Sequence, residues 1–123
     1  MGFTEPRFEL THEDLGSNGH VITVAGEIHV STAPRFSEEL NEAIRDDAPA
    51  VVLDLSDVDF IDSTGLSVLL NGLRRVTRQH GRMALVATNP TVLRLFEITR
   101  LDATFDIHPT REAALSAVRS AEG

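Results

Sequence analysis

The chain has 123 residues, 41% of them hydrophobic, enough for one compact domain with its own core. It has no Cys and no Lys: all 11 basic residues are Arg, set against 19 acids, for a formal net charge of -8. These absences exclude a disulfide framework, thiolate chemistry and Cys-based metal sites, and equally a Walker A loop, a Schiff-base enzyme and the lysine chemistry of receiver domains.

The charge is unevenly placed. Met1 to Asp62 carries 14 acids and three Arg, a net of -11, whereas Ser63 to Gly123 carries five acids and eight Arg, a net of +3. With no Trp, no Tyr and no basic stripe, the chain is poorly suited to nucleic acid or an anionic membrane, which demand phosphate-neutralising cations; a protein partner is the expectation. "MGFTEPRFELTHEDLG" has no basic stretch leading into an apolar one, no later run approaches the roughly 20 residues of a membrane span, and Pro6 stands where a myristoylation signal has Ser or Thr. The expected protein is soluble, unexported and cytoplasmic, a single domain over 1–123 with a core of about 7–118 and short flexible ends.

In chain order, "RFEL" and "HVITVAGEI" flank the turn-rich "EDLGSNGH" and predict an opening β-hairpin. "STAPRFSEELNEAIRDD" follows, with Ser31 or Thr32 as cap, Pro34 in the first turn, and Phe36, Leu40, Ala43 and Ile44 on one helical face opposite an acidic one. "AVVLDLS" is a continuous apolar run, as for a strand covered on both faces. From Ser63 to about His80, Leu66, Leu69, Leu70, Leu73 and Thr77 recur at helical spacing, Arg74, Arg75 and Arg78 sit near the C-terminal end where cations suit the dipole, and Gly81 stops the helix. "MALVA" predicts a second buried strand, "NPTVLRLFEITR" a short helix capped by Asn89, "ATFDI" a third strand, and "TREAALSAVRS" a closing helix capped by Thr110. The order ββαβαβαβα implies an α/β fold: a mixed sheet, its later strands parallel, packed by about four helices.

Asp54, Asp57, Asp59 and Asp62 crowd the end of the central strand and could hold a hard cation through oxygen ligands. Alternate acids leading from a strand into a helix are, however, ordinarily solvated or used as caps, and with neither a Lys nor a second ligand cluster no metal and no cofactor is expected. His12, His20, His29, His80 and His108 are dispersed, none at the i, i+4 spacing of a helical metal pair, and read as surface or packing residues. No Gly-x-Ser-x-Gly elbow surrounds Ser63, so hydrolase chemistry is not expected either.

Asp62-Ser63-Thr64-Gly65 reads first as a helix start: Asp62 or Ser63 caps, Thr64 fills the first turn, and Gly65 marks close packing or an unusual dihedral. The same geometry suits a phosphoacceptor, because the first turn projects a hydroxyl outward and the helix dipole tolerates phosphate. "VVLDLSDVDFIDSTGLSVLL" resembles the signature of the STAS domain family, in particular the anti-sigma factor antagonists, or anti-anti-sigma factors, of bacteria. "VAGEIHVSTAPRF" and "LRLFEITRLDATFDI" resemble further family segments, so the likeness runs from about Val21 to Ala117.

The resemblance implies a binding module rather than an enzyme. It makes Ser63 the acceptor of phosphate from a kinase-type anti-sigma factor with a histidine-kinase-like ATPase fold, a reaction reversed by a PP2C-type serine phosphatase. Thr64 is a secondary hydroxyl, and the partner-binding surface comprises His29, Asp59, Asp62, Ser63, Thr64, Gly65 and Ser67. The chain departs from the family pattern at His29, commonly Asp, at Ser67, frequently Gly, and at Arg100, usually Gly, a helix-end position where the left-handed conformation costs Arg more. Two other roles are compatible with the residues: a STAS scaffold or sensor subunit of a larger signalling or transporter assembly without a phosphoswitch, and a small phosphotransfer or hydrolytic enzyme using the Asp cluster.

Overall fold

The structure, a computed structural model, describes residues 7–16, 19–44 and 50–119. The ends expected to be flexible, the first few residues and Ser120 to Gly123, lie outside the described residues.

β1 (Phe8–Asp14) and β2 (His20–Ile28) pair antiparallel as the expected hairpin. There follow α1 (Ala33–Ala43), β3 (Ala50–Ile61), α2 (Ser63–Arg78), β4 (Arg82–Val86), α3 (Pro90–Ile98), β5 (Ile107–His108) and α4 (Arg111–Arg119), the order read from the sequence. The five strands lie in the order β1-β2-β3-β4-β5, and every pair after the hairpin is parallel. Strand alternation divides β3 between two cores. Val51, Leu53 and Leu55 join Phe36 and Leu40 of α1, Leu66, Leu69 and Val76 of α2, and Val92 and Phe96 of α3. Val52 faces the other way, with Val21, Ala84 and Val86, onto Ala114 and Val118 of α4. Each fully buried Leu or Phe contributes roughly 1.5–3 kcal/mol, which is why the helices stay on the sheet despite short, individually weak sequences.

Several local expectations change. β3 runs through Asp57 and Asp59 to Ile61, so these acids belong to a strand rather than to a strand-to-helix loop. β4 accompanies it only as far as Asp54; beyond that β3 pairs with β2 alone, with register shifts that leave Asp59 as an extra residue opposite Gly26 and Glu27. Gly26, at φ 104°, is needed here because any Cβ would run into the Arg7 carbonyl, which accepts from Glu27 N–H. The strand expected over "ATFDI" is only Ile107 and His108: Leu101–Ala103 forms a 3-10 turn instead, and Phe105 drops into the core edge-on to Phe96. Thr77 is exposed. At the end of α2 the left-handed residue is His80 (φ 63°), not Gly81, whose N–H closes the helix onto the Val76 carbonyl while His80 N–H bonds that of Thr77. Arg100 is left-handed at φ 64°, as its position after α3 implies. Thr32 occupies the cap position of α1 without capping it: its hydroxyl donates to the Glu27 carbonyl and accepts from His29 N–H.

Candidate functional site

β2 and β3 end side by side, Ile28 opposite Ile61, and Asp62 N–H bonds the Ile28 carbonyl across the gap. The chain then turns directly into α2. Asp62 is the cap: its Oδ1 accepts from Thr64 N–H at 2.9 Å and Gly65 N–H at 3.2 Å. Ser63 is thereby the first helical residue and exposed, Thr64 is half-buried, and Gly65 is buried. Of the two roles open to Gly65, close packing is the observed one. A Cβ there would lie 2.6 Å from Ile28 Cγ2 and 2.7 Å from Ile61 Cγ1, so a side chain would lever the helix start off the strand ends.

One turn on, the Ser67 hydroxyl donates to the Ser63 carbonyl at 3.1 Å and shares its exposed face. His29 lies beside Asp62, its Nε2 3.1 Å from Glu27 Oε1 and its Nδ1 accepting from Ser31 N–H at 3.2 Å. That pair of contacts places the ring proton on Nε2. The His29 ring also packs at 6.1 Å on Phe60. Asp59 points outward and meets Arg7 at 3.3 Å. Burial works to raise the Asp62 pKa, but the Gly65 and Thr64 donors and the neighbouring His29 outweigh it, holding the carboxyl below the usual carboxylate value.

The residues singled out in the sequence, His29, Asp59, Asp62, Ser63, Thr64, Gly65 and Ser67, thus gather at one end of the sheet. The four-acid cluster does not: Asp54 turns to the α4 face and pairs with Arg111, Asp59 pairs with Arg7, and Asp62 caps α2. Among the described residues no three His, Asp or Glu side chains are grouped as metal ligands. The histidines are not all apart, since His12 and His20 stack at 5.1 Å on the opening hairpin. Sequence reasoning missed Phe60, 43% exposed against the His29 ring, because an apolar residue in a strand is read as core, and Val30, 70% exposed in the turn after β2. Asn89 caps α3 with its Oδ1, as its place before Pro90 implies; what the sequence does not show is that its Nδ2 also donates to the Val58 carbonyl, bracing the part of β3 that β4 no longer accompanies.

The sequence model of the STAS domain matches residues 12–114. The chain belongs to the STAS domain family. It is 33% identical over 99 residues to the anti-sigma-F factor antagonist RsfB of Mycobacterium tuberculosis, covering 80% of each protein. The crystal structure of an anti-sigma factor antagonist from Mycobacterium paratuberculosis superposes with a TM-score of 0.82 at 34% identity, over 92% of this chain and 95% of that one. SpoIIAA in its unphosphorylated form superposes with a TM-score of 0.73 at 25% identity, over 93% and 97%. In this STAS chain the Asp62 cap and the exposed Ser63 follow directly on the end of β3, whose Phe60 is exposed against His29. Among the described residues no helix is long and apolar enough to cross a membrane.

Proposed function

We propose that the protein is an anti-sigma factor antagonist that works in the cytoplasm by partner switching. Unphosphorylated, it docks the ends of β2 and β3 and the start of α2 onto a kinase-type anti-sigma factor with a histidine-kinase-like ATPase fold, so that the sigma factor is released. The anti-sigma factor phosphorylates Ser63 and the complex separates; a PP2C-type serine phosphatase restores the binding form.

The observation that carries this reading is an exposed Ser63 as the first residue of a helix capped by Asp62, directly after a strand end that exposes Asp59 and Phe60. Val30 and Phe60 supply apolar contact area, and Asp62 fixes the direction in which Ser63 points. Phosphate adds about -1.5 to -2 charges. Asp59 and Asp62 already stand in this surface, so the modified serine meets like charge and must also be desolvated on docking. A loss of about 3 kcal/mol weakens binding more than a hundredfold, enough for a switch without refolding.

The test is the affinity of Ser63→Ala and Ser63→Asp for the cognate anti-sigma factor, with the phosphorylated protein alongside. Ser63→Ala is expected to bind as the unmodified chain does and Ser63→Asp much more weakly; equally tight binding by both sinks the charge switch. The names of the relatives support the antagonist role, and the position of Ser63 supports the phosphoswitch.

A further inference from the structure

A phosphate at a helix start ordinarily takes its hydrogen bonds from the free backbone amides. Here two of the three first-turn amides are occupied, Thr64 N–H and Gly65 N–H both bonding Asp62 Oδ1, which leaves only the N–H of Ser63 itself. The Ser67 hydroxyl is committed to the Ser63 carbonyl. Among the described residues, His29 is the side-chain donor on the strand side of the helix start that could add to the Ser63 amide. It follows Ile28, the register partner of Ile61, and so stands across from Asp62 at the strand ends, close enough to act on the Asp62 carboxylate. Its side chain is 18% exposed and held by packing on Phe60, while the Glu27 carboxylate that takes its Nε2–H is 45% exposed and free to turn into water.

We infer that His29 is the residue that receives the phosphate of Ser63, its Nε2–H exchanging the Glu27 carboxylate for a phosphate oxygen while Nδ1 keeps its bond to Ser31 N–H. This deepens the proposed switch and rests on Ser63 as the acceptor. The exchange trades one carboxylate acceptor for a more highly charged one, holds the phosphate close to the body of the protein, and frees Glu27 as a further negative charge at the docking surface. The charged groups around the ring are Glu27 on β2, Asp62 at the start of α2, and the Asp59–Arg7 pair beside Phe60. Arg7 is the rival phosphate partner, since its pair with Asp59 is exposed on both sides.

The experiment installs phosphoserine at position 63 during translation, which removes any dependence on a kinase, and follows the second ionisation of the phosphate by 31P NMR. A donor that favours the dianion lowers that midpoint, which is about 6 for free phosphoserine. The full chain is compared with His29→Leu and Arg7→Leu. The midpoint is expected to rise by about one pH unit in His29→Leu, the size of one charge-assisted hydrogen bond, and to stay in place in Arg7→Leu. An unchanged midpoint in His29→Leu, or a rise in Arg7→Leu alone, overturns the assignment. An imidazole 15N spectrum of the unsubstituted chain gives a readout that needs no folded variant: the His29 Nε2 signal must move when phosphate is present, and an unmoved signal overturns the proposal as well. Failure here leaves the antagonist reading standing, because that reading is tested by binding to the anti-sigma factor.

Discussion

Arg111 grips Asp54 across 57 residues of sequence, with Nε and Nη2 lying 3.2 and 2.9 Å from the same carboxylate oxygen, Oδ2. Oδ1 is taken by the hydroxyl and N–H of Ser56, and Arg111 Nη2 also reaches Thr23 Oγ1 at 3.1 Å. Asp54 is only 8% exposed, so this network lets a carboxylate sit under the first turn of α4 and ties that helix to β2 and β3.

Removing Arg111 should therefore loosen α4. Its side chain is 44% exposed, so the cost of Arg111→Leu falls between that of a surface pair and that of a buried one, at about 1–2 kcal/mol by urea denaturation. The network also has a pH signature. Burial pushes the Asp54 carboxyl up, but Ser56 and then Arg111 outweigh it and hold it below the usual value. Its stabilisation is whole above the ordinary carboxylate pKa of about 3.9 and disappears as pH falls through the lower native value. Arg111→Leu should flatten the acid side of the stability profile; an unchanged profile would show that the guanidinium does not act on Asp54.

Asp62 gives a second acid-sensitive element of the same sign, because its native pKa is also lowered. Asp62→Ala leaves two amides at the start of α2 without their acceptor and should cost about 1 kcal/mol. Asp62→Asn keeps a good cap and should cost less, while removing the carboxylate titration. A stability difference between the unsubstituted chain and Asp62→Asn that is the same at pH 7 and at pH 3 would count against an ionised cap.

The expected topology needed only features that the chain states locally. Apolar runs in Val51 to Leu55 and Met83 to Val86, turn formers before His20, and Asn89-Pro90 fix elements and their order, and the Asp-Ser-Thr-Gly run fixes where α2 begins. What stayed hidden depends on partners distant in sequence. Nothing near Asp54 announces Arg111, and nothing in "DVDFID" says that β4 stops opposite Asp54 or that the pairing with β2 slips so that Asp59 has no register partner, with Asp59 and Phe60 both left exposed. Likewise the local pattern allows a strand at Phe105, but the contact with Phe96 takes that side chain into the core instead.

Arg100 illustrates a departure whose cost is readable. It holds φ 64° after α3, a conformation that costs a residue with a Cβ about 1–2 kcal/mol and glycine almost nothing. Part of that gain is offset because glycine also makes the unfolded chain more flexible. Arg100→Gly should raise stability by about 0.5–1 kcal/mol, seen as a higher urea midpoint at constant slope. A lower midpoint would mean that the exposed Arg100 side chain makes up for its backbone.

Phe60 separates folding from binding. It is 43% exposed and lies tilted against the His29 ring, whereas its neighbours Val58 and Ile61 are buried. Phe60→Ala therefore removes little core and should change stability by less than about 1 kcal/mol. If the ends of β2 and β3 are the docking surface, an aromatic ring beside the helix start is the kind of side chain that anchors an interface. Its loss should then weaken binding to the anti-sigma factor by about 2 kcal/mol, roughly thirtyfold. Ile98, 67% exposed on α3, is the matched control: another large apolar side chain on the surface, carried by a different element. Titrations of Phe60→Ala and Ile98→Ala against the same partner should differ by that factor; equal affinities would place the docking surface elsewhere on the molecule.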